Sequence, residues 1–531
     1  MRKLLLNGVA FSALSVLAFG APAWSVELAA NVSPQSIDGA GRNIMRTADG
    51  GIVAAFAATT GGTAGLVFGR SLDNGASWSN VSLEDVSGSV VQAAIDSNFQ
   101  GSYIAFTETV DGRTVGRIAF SSTPFGADPE LVVSGAVTPD GVVPRDTHIQ
   151  ASRAGWGDRA DADRETVAYG WQDETTKGLY IGVSPDGRTF PQARLVVSDP
   201  HATSGPAVAI RGQYVIATYQ TTNPAIAPAD VPAALRDGRT YPAWIESMDG
   251  GATWSEPKPL FGHGADAFPV ASVETGDGAI VRHRLAGGSL LPNSPILNWA
   301  STRSLDGDLF EADKTLPADD LEFDELRRER LPAGMPGREG ERMPRFDLSL
   351  GGTTFVQSSM RSIDGDGAEG EVSIVSFRPI EPGAAWTHVV ANNALTMDRG
   401  RIDRVTSHLG AQGSQFQYSA LIDTSVRATT YREVDPATGE ARLVAAVSVD
   451  TGKTFDHHVS FTSEELAAHG IEGFGEGTVL AASQCLFEDR DGEVHVDVLF
   501  TQDGTMRFAS LPVGVNAAVL RQREHALLST R

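Results

Sequence analysis

A short, turn-like pattern recurs along this chain of 531 residues. Its full form is Ser-x-Asp-x-Gly-x-Ser/Thr-Trp/Phe, and the copies follow strand-like runs rich in Val, Ile and Ala. Three full copies begin at Ser71, Ser247 and Ser448, and two copies shortened by one residue begin at Ser184 and Ser304. Repetition of this kind indicates one supersecondary unit used many times, so the length of the chain does not require several separate domains.

The residue types in this pattern are those of a tight hairpin turn. The Asp side chain can accept backbone N–H groups within the turn, and Gly adopts backbone angles that other residues resist. The closing Trp or Phe then packs against the base of the hairpin. The residues expected in this structural role are Ser71, Asp73, Gly75, Trp78, Asp186, Ser247, Asp249, Gly251, Trp254, Asp306, Ser448, Asp450, Gly452 and Phe455.

The pattern resembles the Asp box, or BNR repeat, of the sialidase superfamily. In that family the box joins the third and fourth strands of a β-propeller blade and lies away from the active face. The resemblance implies an all-β fold, a single β-propeller of four-stranded blades covering nearly the whole mature chain. Counting strand–turn–strand units favours eight blades, with seven or six as alternatives. The N-terminal segment Val26–Pro34 is expected to supply the missing strand of the last unit and close the ring.

The N-terminus has the composition of a secretory signal peptide. Arg2 and Lys3 give a positive start, Leu4–Phe19 is mostly apolar, and Ala21–Ala23 is a small-x-small pattern. Cleavage is therefore expected after Ala23. No cysteine stands at the cleavage point, and no later apolar run is long enough to span a bilayer. The sequence thus predicts a secreted or periplasmic protein without a lipid anchor or a transmembrane segment.

The rest of the chain is expected to form one domain. The predicted boundaries are a signal peptide at 1–23, a propeller at 24–515 with an insertion at about 311–343, and a C-terminal tail at 516–531. The insertion is polar, and its few apolar residues fit either a short helix with one apolar edge or a charged loop. We expect a monomer.

The charge of the chain restricts its partners. It carries 66 acidic and 42 basic residues, a formal net charge of −24. Nucleic acid requires a concentrated basic surface, so this balance argues against nucleic acid and against anionic membranes. The single cysteine, Cys485, allows no internal disulfide, so the core and the sheets must hold the exported fold. The partners expected are a glycan, a small anionic ligand or another exported protein.

The family resemblance implies a catalytic set that can be sought residue by residue. In sialidases three Arg residues grip the substrate carboxylate, a Tyr activated by Glu is the nucleophile, and an Asp is the general acid/base. Arg42 stands where the first Arg is expected. Residues 54–70 contain no Asp or Glu where the Asp is expected, and Ala482–Leu486 contains no Tyr where the Tyr is expected. Tyr418, in a similar stretch one unit earlier, is either displaced catalytic chemistry or an ordinary strand residue.

A ligand of a propeller binds near the axis, where the first strands of the blades converge. Arg145 and Arg345 begin two such strands, and with Arg42 they would make a cationic pocket in an acidic protein. His148 and Gln417 complete the predicted ligand-binding set. The alternative for each Arg is an ion pair on the surface or between blades.

An acidic, Gly-rich run offers the one candidate metal site. Asp364, Asp366, Glu369 and Glu371 are hard oxygen ligands of the kind that Ca²⁺ prefers. Their spacing is not that of an EF-hand, and an exposed hairpin tip is the alternative. No other cofactor is expected.

Three functions follow from these observations. The first is a non-catalytic exported propeller that binds a glycan, an anionic ligand or a protein at its axial face. The second is an exo-acting glycoside hydrolase of sialidase type with displaced catalytic residues. The third is a periplasmic scaffold propeller. Because retaining hydrolysis requires both groups that are missing from their expected places, the first is favoured.

Overall fold

The computed structural model describes part of the chain between Ser25 and Asn516. The described residues are 25–37, 41, 43–46, 51–60, 62–83, 86–97, 101–121, 131–152, 166–226, 241–260, 279–285, 354–362, 372–379, 387–390, 401–405, 409–410, 427–435, 437–449, 457–475, 477–488 and 493–516. The predicted signal peptide, the predicted insertion at about 311–343 and tail residues 517–531 lie outside them.

The described residues form 29 β-strands in seven antiparallel sheets. Sheet 1 consists of β2 (Ile44–Arg46), β3 (Ile52–Thr60), β4 (Thr63–Ser71) and β5 (Ser79–Ser82). Sheet 2 consists of β6 (Ser89–Ser97), β7 (Ser102–Val110), β8 (Arg113–Ser121) and β9 (Val132–Val133). Sheet 3 consists of β10 (Pro144–Ala151), β11 (Val167–Asp173), β12 (Leu179–Ser184) and β13 (Arg194–Val197).

The other sheets follow the same plan. Sheet 4 consists of β14 (Ala202–Arg211), β15 (Tyr214–Thr221), β16 (Tyr241–Ser247) and β17 (Lys258–Pro259). Sheet 5 consists of β18 (Ala279–Leu285), β19 (Thr354–Ser362), β20 (Val372–Pro379) and β21 (Thr387–Val390). Sheet 6 consists of β22 (Arg401–Val405), β24 (Arg427–Val434), β25 (Ala441–Ser448) and β26 (His457–Thr462), with β23 (Leu409–Gly410) beside β24. Sheet 7 consists of β27 (Val479–Glu488), β28 (Glu493–Gln502), β29 (Thr505–Asn516) and β1 (Ser25–Ala29).

Consecutive sheets pack against one another through their first strands. Contacts of this kind join sheets 1 to 2, 2 to 3, 3 to 4, 4 to 5 and 6 to 7, while β19 and β22 join sheets 5 and 6. The first strand of sheet 7 also contacts the first strand of sheet 1. Four-stranded antiparallel sheets that follow one another in this way are the blades of a β-propeller, which confirms the predicted fold class.

The apolar run of β3 shows why a blade needs no alternation of polar and apolar residues. Side chains on a strand point alternately to the two faces of the sheet. Ala54 and Phe56 pack in a cluster shared with sheet 7, whereas Val53 and Ala55 pack in a cluster shared with sheet 2. Each blade is therefore covered on both faces, and an almost continuous apolar strand is the expected consequence.

The last sheet is completed by the N-terminus, as the sequence predicts. Strand β1 pairs antiparallel with β29, with Ser25 opposite Ala509. Leu28 is buried and packs in one cluster with Met506 and Phe508 of sheet 7. The two ends of the described chain thus share a single blade.

The described residues contain seven blades, and one long stretch outside them falls within sheet 5. Strands β18 and β19 pair directly as its first and second strands, although residues 286–353 lie between them in sequence. That stretch holds the shortened pattern at Ser304, which therefore does not follow the third strand of a described sheet.

Helical structure is sparse in the described part of the chain. Its one α-helix, α1, spans Ser463–Ala468, and two short 3-10 helices span Pro34–Ser36 and Pro224–Ile226. A capping box begins α1, in which Thr462 and Glu465 bond to each other's backbone N–H. Within these same residues no helix has both the length and the apolar composition to cross a bilayer.

Candidate functional site

Each blade has two opposite ends along the direction of its strands, and the antiparallel pairing decides which residues lie at each end. An edge of a blade here means one of these two ends and not an outermost strand. In sheet 3, Pro144 at the start of β10 pairs with Asp173 at the end of β11. We call this the leading edge, because the first strands begin there. Ala151 pairs with Val167, and Val167 pairs with Ser184. The turn that follows Ser184 therefore lies at the edge opposite the leading edge.

The Ser-x-Asp-x-Gly turns, called box turns from here on, all connect third to fourth strands where they are described. In the turn 71–78, Ser71 Oγ donates to Asp73 Oδ1 at 2.8 Å and accepts the Gly75 amide at 2.8 Å. The Asp73 carboxylate accepts the amide of Ser77 at 2.8 Å and its hydroxyl at 2.5 Å. Trp78 Nε1 donates to the Gly75 carbonyl oxygen at 3.1 Å. Side chains thus fix every position of the turn that the pattern specifies.

The turn 247–254 repeats this network with the same partners. Gly251 N donates to Ser247 Oγ at 2.8 Å, Thr253 N donates to Asp249 Oδ1 at 2.8 Å, and Trp254 Nε1 donates to Gly251 O at 3.1 Å. In the shortened turn, Asp186 Oδ1 accepts the amides of Arg188 at 2.9 Å and Thr189 at 2.6 Å. Ser448 ends β25, while Asp306, Asp450, Gly452 and Phe455 lie outside the described residues.

The box turns also wedge between neighbouring blades. The Trp78 ring lies 5.3 Å, centroid to centroid, from Phe508 of sheet 7. Phe190, which closes the shortened turn of sheet 3, lies 5.1 Å from Phe120 of sheet 2. Gly251 approaches the Val183 side chain of sheet 3 so closely that a Cβ there would lie 2.9 Å from it. The turns are therefore packing elements between blades and leave the leading edge to other chemistry.

The box carboxylates make blade stability depend on pH. Hydrogen bonds from the Thr253 side chain and backbone lower the pKa of Asp249 from 3.8 to about 2. Because the folded-state pKa is the lower one, this stabilisation is present above about pH 4 and is lost as pH falls from about 4 to about 2. We expect Asp249→Asn to lower the unfolding midpoint by a constant amount above pH 5 and by a progressively smaller amount as pH falls towards 2. A difference that grows on acidification, measured by thermal denaturation, would contradict this.

The first strands are irregular near the leading edge. In six of the seven first strands of the described chain, the pairing with the second strand shifts register. The shifts lie between Val90 and Ala93, Arg145 and His148, Ser204 and Ala207, Ile280 and Arg282, Ile402 and Arg404, and Leu480 and Gln484, and β14 has a second shift between Ala202 and Ser204. Such bulges redirect side chains and are common beside functional sites.

Arg145 stands at one of these shifts with its positive charge uncancelled. Its Nε and Nη2 atoms donate to Gln172 Oε1 at 2.8 and 2.5 Å, and Nη2 also donates to the Thr203 carbonyl oxygen at 3.0 Å. No carboxylate of the described residues pairs with this guanidinium, whereas Arg113 and Arg117 each pair with an acid. The side chain is half-exposed, and Nη1 takes no part in the three bonds.

Two more polar residues flank the same point, where sheets 3 and 4 meet. Asp146 lies in the left-handed region, at a φ of 51°, and its Oδ2 accepts the Gly205 amide at 3.2 Å. Ser204 Oγ donates to Gln220 Oε1 at 3.1 Å. Asp146 and Ser204 are both half-buried and Thr203 is exposed. We call Arg145, Asp146, Gln172, Thr203 and Ser204 the Arg145 cluster.

His148 and Gln92 hydrogen-bond to neighbouring sheets next to this cluster. His148 is buried, and its Nδ1 accepts the Val208 amide of sheet 4 at 3.2 Å. A ring whose Nδ1 accepts carries its proton on Nε2 when it is neutral. Gln92 Oε1 accepts the Thr147 amide at 3.4 Å. Gln92 therefore ties sheet 2 to sheet 3, and His148 ties sheet 3 to sheet 4.

A row of Glu and Gln residues on the second strands is not among the residues predicted from the sequence. Each lies opposite the last residue before a register shift, and each is buried. The members are Glu108, Gln172, Gln220 and Glu433. Their signal in the sequence is a Glu or Gln one or two residues after an aromatic residue in an apolar strand, as in Phe-Thr-Glu108 and Trp-Gln172.

Several predicted site residues lie outside the described residues. These are Arg42, Arg345, Gln417, Tyr418 and the acidic run of Asp364, Asp366, Glu369 and Glu371. Gly41, next to Arg42 in sequence, approaches the Thr147 carbonyl oxygen, and a Cβ there would lie 2.5 Å from it. Of the predicted set, the structure therefore places Arg145 and His148 on one strand. No group of three or more His, Cys, Asp or Glu in the described part could hold a metal ion.

Comparison with known proteins gives matches among structures only. No family model matches the chain, and no curated protein matches its sequence. It is similar to a Trypanosoma rangeli sialidase in complex with the inhibitor DANA, at 11% identity and a TM-score of 0.36. That match covers 94% of this chain but 57% of the sialidase chain, so the chain spans little more than half its length.

A second similar structure is the GH93 alpha-L-arabinofuranosidase of Fusarium graminearum with arabinobiose. Its identity is 12% and its TM-score 0.38, and the match covers 80% of this chain and 96% of that one. Neither likeness bears on the chemistry of the Arg145 cluster.

Proposed function

We propose that this chain is an exported, sialidase-like β-propeller that binds a carboxylate-bearing glycan or small anion at its leading edge and does not hydrolyse it. The observation that carries the proposal is the Arg145 guanidinium, held by an amide and a backbone carbonyl rather than by an acid. A guanidinium in that state can offer paired N–H donors to a carboxylate.

The charge of the whole chain supports this choice. With a net charge of −24, most of the surface repels anions, so an arginine that no acid pairs with is a favoured place for an anion to bind. The half-exposed Arg145 and the exposed Thr203 leave the cluster open to a ligand, and Ser204 adds a hydroxyl next to them. Hydroxyl groups of a sugar can bond to such polar neighbours while its acid faces the guanidinium.

The described residues favour binding over hydrolysis. A retaining glycosidase needs a nucleophile and an acid/base on opposite sides of the scissile bond. Asp146 is the one carboxylate of the Arg145 cluster, and it accepts the Gly205 amide. Glu108, a further acid near this edge, is fully buried and bonded to Arg117. A binding site with a single carboxylate is therefore the function that this geometry supports best.

Calorimetric titration of the wild-type protein tests the proposal. We would compare N-acetylneuraminic, glucuronic and galacturonic acids with their methyl esters, which lack the negative charge. At least one acid should bind about tenfold or more tightly than its ester, as expected when a charge-assisted bond is lost. Equal binding of acid and ester, or no binding of any acid, would overturn the anion site.

Reporter substrates test the absence of turnover. With an α-sialoside and an α-L-arabinofuranoside reporter, we expect no release above the buffer blank. Release that Asp146→Asn abolishes would replace this proposal with the glycoside hydrolase alternative. A stable protein partner whose binding survives Arg145→Gln would instead favour the scaffold alternative.

Export is proposed from the N-terminal sequence, with cleavage after Ala23. Mass spectrometry of the protein from the periplasm or the culture medium should find Trp24 as the first residue. An intact chain that begins at Met1 and stays in the cytoplasm would contradict export.

A further inference from the structure

We propose that Gln172 sets the charge selectivity of the Arg145 cluster, because its neutral carboxamide fixes the guanidinium in place without cancelling its charge. This inference rests on the proposed anion site and names the residue that makes the site select acids. It concerns a side chain that is itself fully buried and does not reach the ligand.

The hydrogen bonds of Gln172 require an amide at this position. Its Oε1 accepts two bonds from Arg145, at 2.8 and 2.5 Å. Its Nε2 donates to the carbonyl oxygens of Ala202 at 3.0 Å and Lys177 at 3.3 Å. One end of the side chain is an acceptor and the other a donor, which a carboxylate cannot reproduce. The bridge therefore positions Arg145 and leaves the net charge of the pair at plus one.

The equivalent position in sheet 2 holds an acid in place of the amide. Glu108 also lies opposite the residue before a register shift, and its Oε2 accepts Arg117 Nη1 at 2.6 Å. Its Oε1 accepts the Gly88 amide at 2.6 Å. Here the acid cancels the charge of the arginine that it holds. The equivalent second-strand residue thus holds a third-strand arginine through an acid in sheet 2 and a first-strand arginine through a neutral amide in sheet 3.

The distribution of Glu and Gln along the row locates the anion site. Sheets 3 and 4 are neighbours and both carry Gln, at Gln172 and Gln220, whereas sheets 2 and 6 carry Glu, at Glu108 and Glu433. Gln220 accepts Ser204 Oγ just as Gln172 accepts Arg145. At the junction of sheets 3 and 4 the second strands therefore contribute uncharged side chains, so no acid of this row offsets the charge of Arg145.

Two other acids near Gln172 accept hydrogen bonds from backbone amides, and one of them also accepts a hydroxyl. Asp173 Oδ1 accepts the amides of Val143 and Thr175, at 3.0 and 3.2 Å, and Oδ2 accepts the hydroxyl of Thr176 at 2.5 Å. Asp146 accepts the Gly205 amide. Neither carboxylate bonds to Arg145, so residue 172 determines whether an acid pairs with this guanidinium in the described part of the chain.

Two substitutions of the full-length protein separate charge from positioning. Gln172→Glu introduces a carboxylate beside Arg145, and Gln172→Met removes both hydrogen-bonding ends without adding charge. For each variant we would measure the affinity for an acid that the wild type binds and for its methyl ester, and check folding by circular dichroism and thermal denaturation.

The ratio of acid to ester affinity is the informative quantity, because a purely structural defect weakens both ligands alike. We expect Gln172→Glu to weaken acid binding by about 10- to 100-fold and to change ester binding by less than about threefold. Gln172→Met should weaken both ligands but keep the preference for the acid. A preserved preference in Gln172→Glu, or a lost preference in Gln172→Met, overturns the inference.

The outcomes for this inference and for the proposed function differ. If the wild type prefers the acid and Gln172→Glu keeps that preference, the anion site stands and the role of Gln172 falls. If the wild type shows no preference, both fall together. If Gln172→Glu does not fold, the Gln172→Met ratio alone decides between charge and positioning.

Discussion

Gly75→Ala should destabilise the protein by about 2–5 kcal/mol. Residue 75 has a φ of 87°, where a Cβ costs about 1–2 kcal/mol. The new Cβ would also lie 2.1 Å from the Phe508 ring of the neighbouring blade. That ring is fully buried and cannot swing into solvent, so overpacking adds about 1–3 kcal/mol. Denaturant unfolding of the purified variant measures the sum.

Gly112→Ala is the matched control for this prediction. Gly112 also has a positive φ, at 76°, but a Cβ at this position would meet nothing within 4 Å. The control should therefore lose only the backbone term of about 1–2 kcal/mol. If the two variants lost the same free energy of unfolding, the box turn would not be wedged against the next blade.

The fold could be read from the sequence because its signals are local. The box turn 71–78 specifies its own hydrogen bonds within eight residues, from Ser71 Oγ to the Trp78 indole. The N-terminal strand was predictable because the last unit lacked a fourth strand. The pairing of β18 with β19 was not predictable, because residues 286–353 lie between them in sequence and such distant pairing leaves no mark on either strand.

The candidate site was predictable only in part. Arg145 stood out as a cation at the start of a first strand. Its partners did not, because Gln172 and Thr203 meet it through strand pairing and through the packing of sheet 3 on sheet 4. A register shift moves the pairing by one residue or more, so positions opposite one another cannot be counted from the sequence. His148 was assigned to the ligand, whereas the structure buries it between two blades.

Arg145→Gln should weaken binding of the preferred acid by about 10- to 100-fold, which corresponds to the loss of about one charge-assisted hydrogen bond. Glutamine keeps a polar side chain at the leading edge but removes the charge. The methyl ester of the same acid should lose little affinity, since it offers no charge to the guanidinium. Titration calorimetry of both ligands measures the effect.

Arg188→Gln supplies the control for charge as such. Arg188 is exposed on the shortened box turn, at the edge opposite the Arg145 cluster. Its replacement by Gln removes the same charge from the protein as Arg145→Gln does. Its variant should bind the acid within about twofold of wild type, because a distant exposed charge is screened. Equal losses in the two variants would show that net charge, rather than the Arg145 cluster, governs binding.

The location of the bound acid tests the anion site most directly. A crystal structure of the wild-type protein with the preferred acid should place one carboxylate oxygen about 3 Å from a guanidinium nitrogen of Arg145, with the sugar ring over Thr203 and Ser204. An acid bound at the box-turn edge, or bound at the leading edge with its carboxylate turned away from Arg145, would contradict the account.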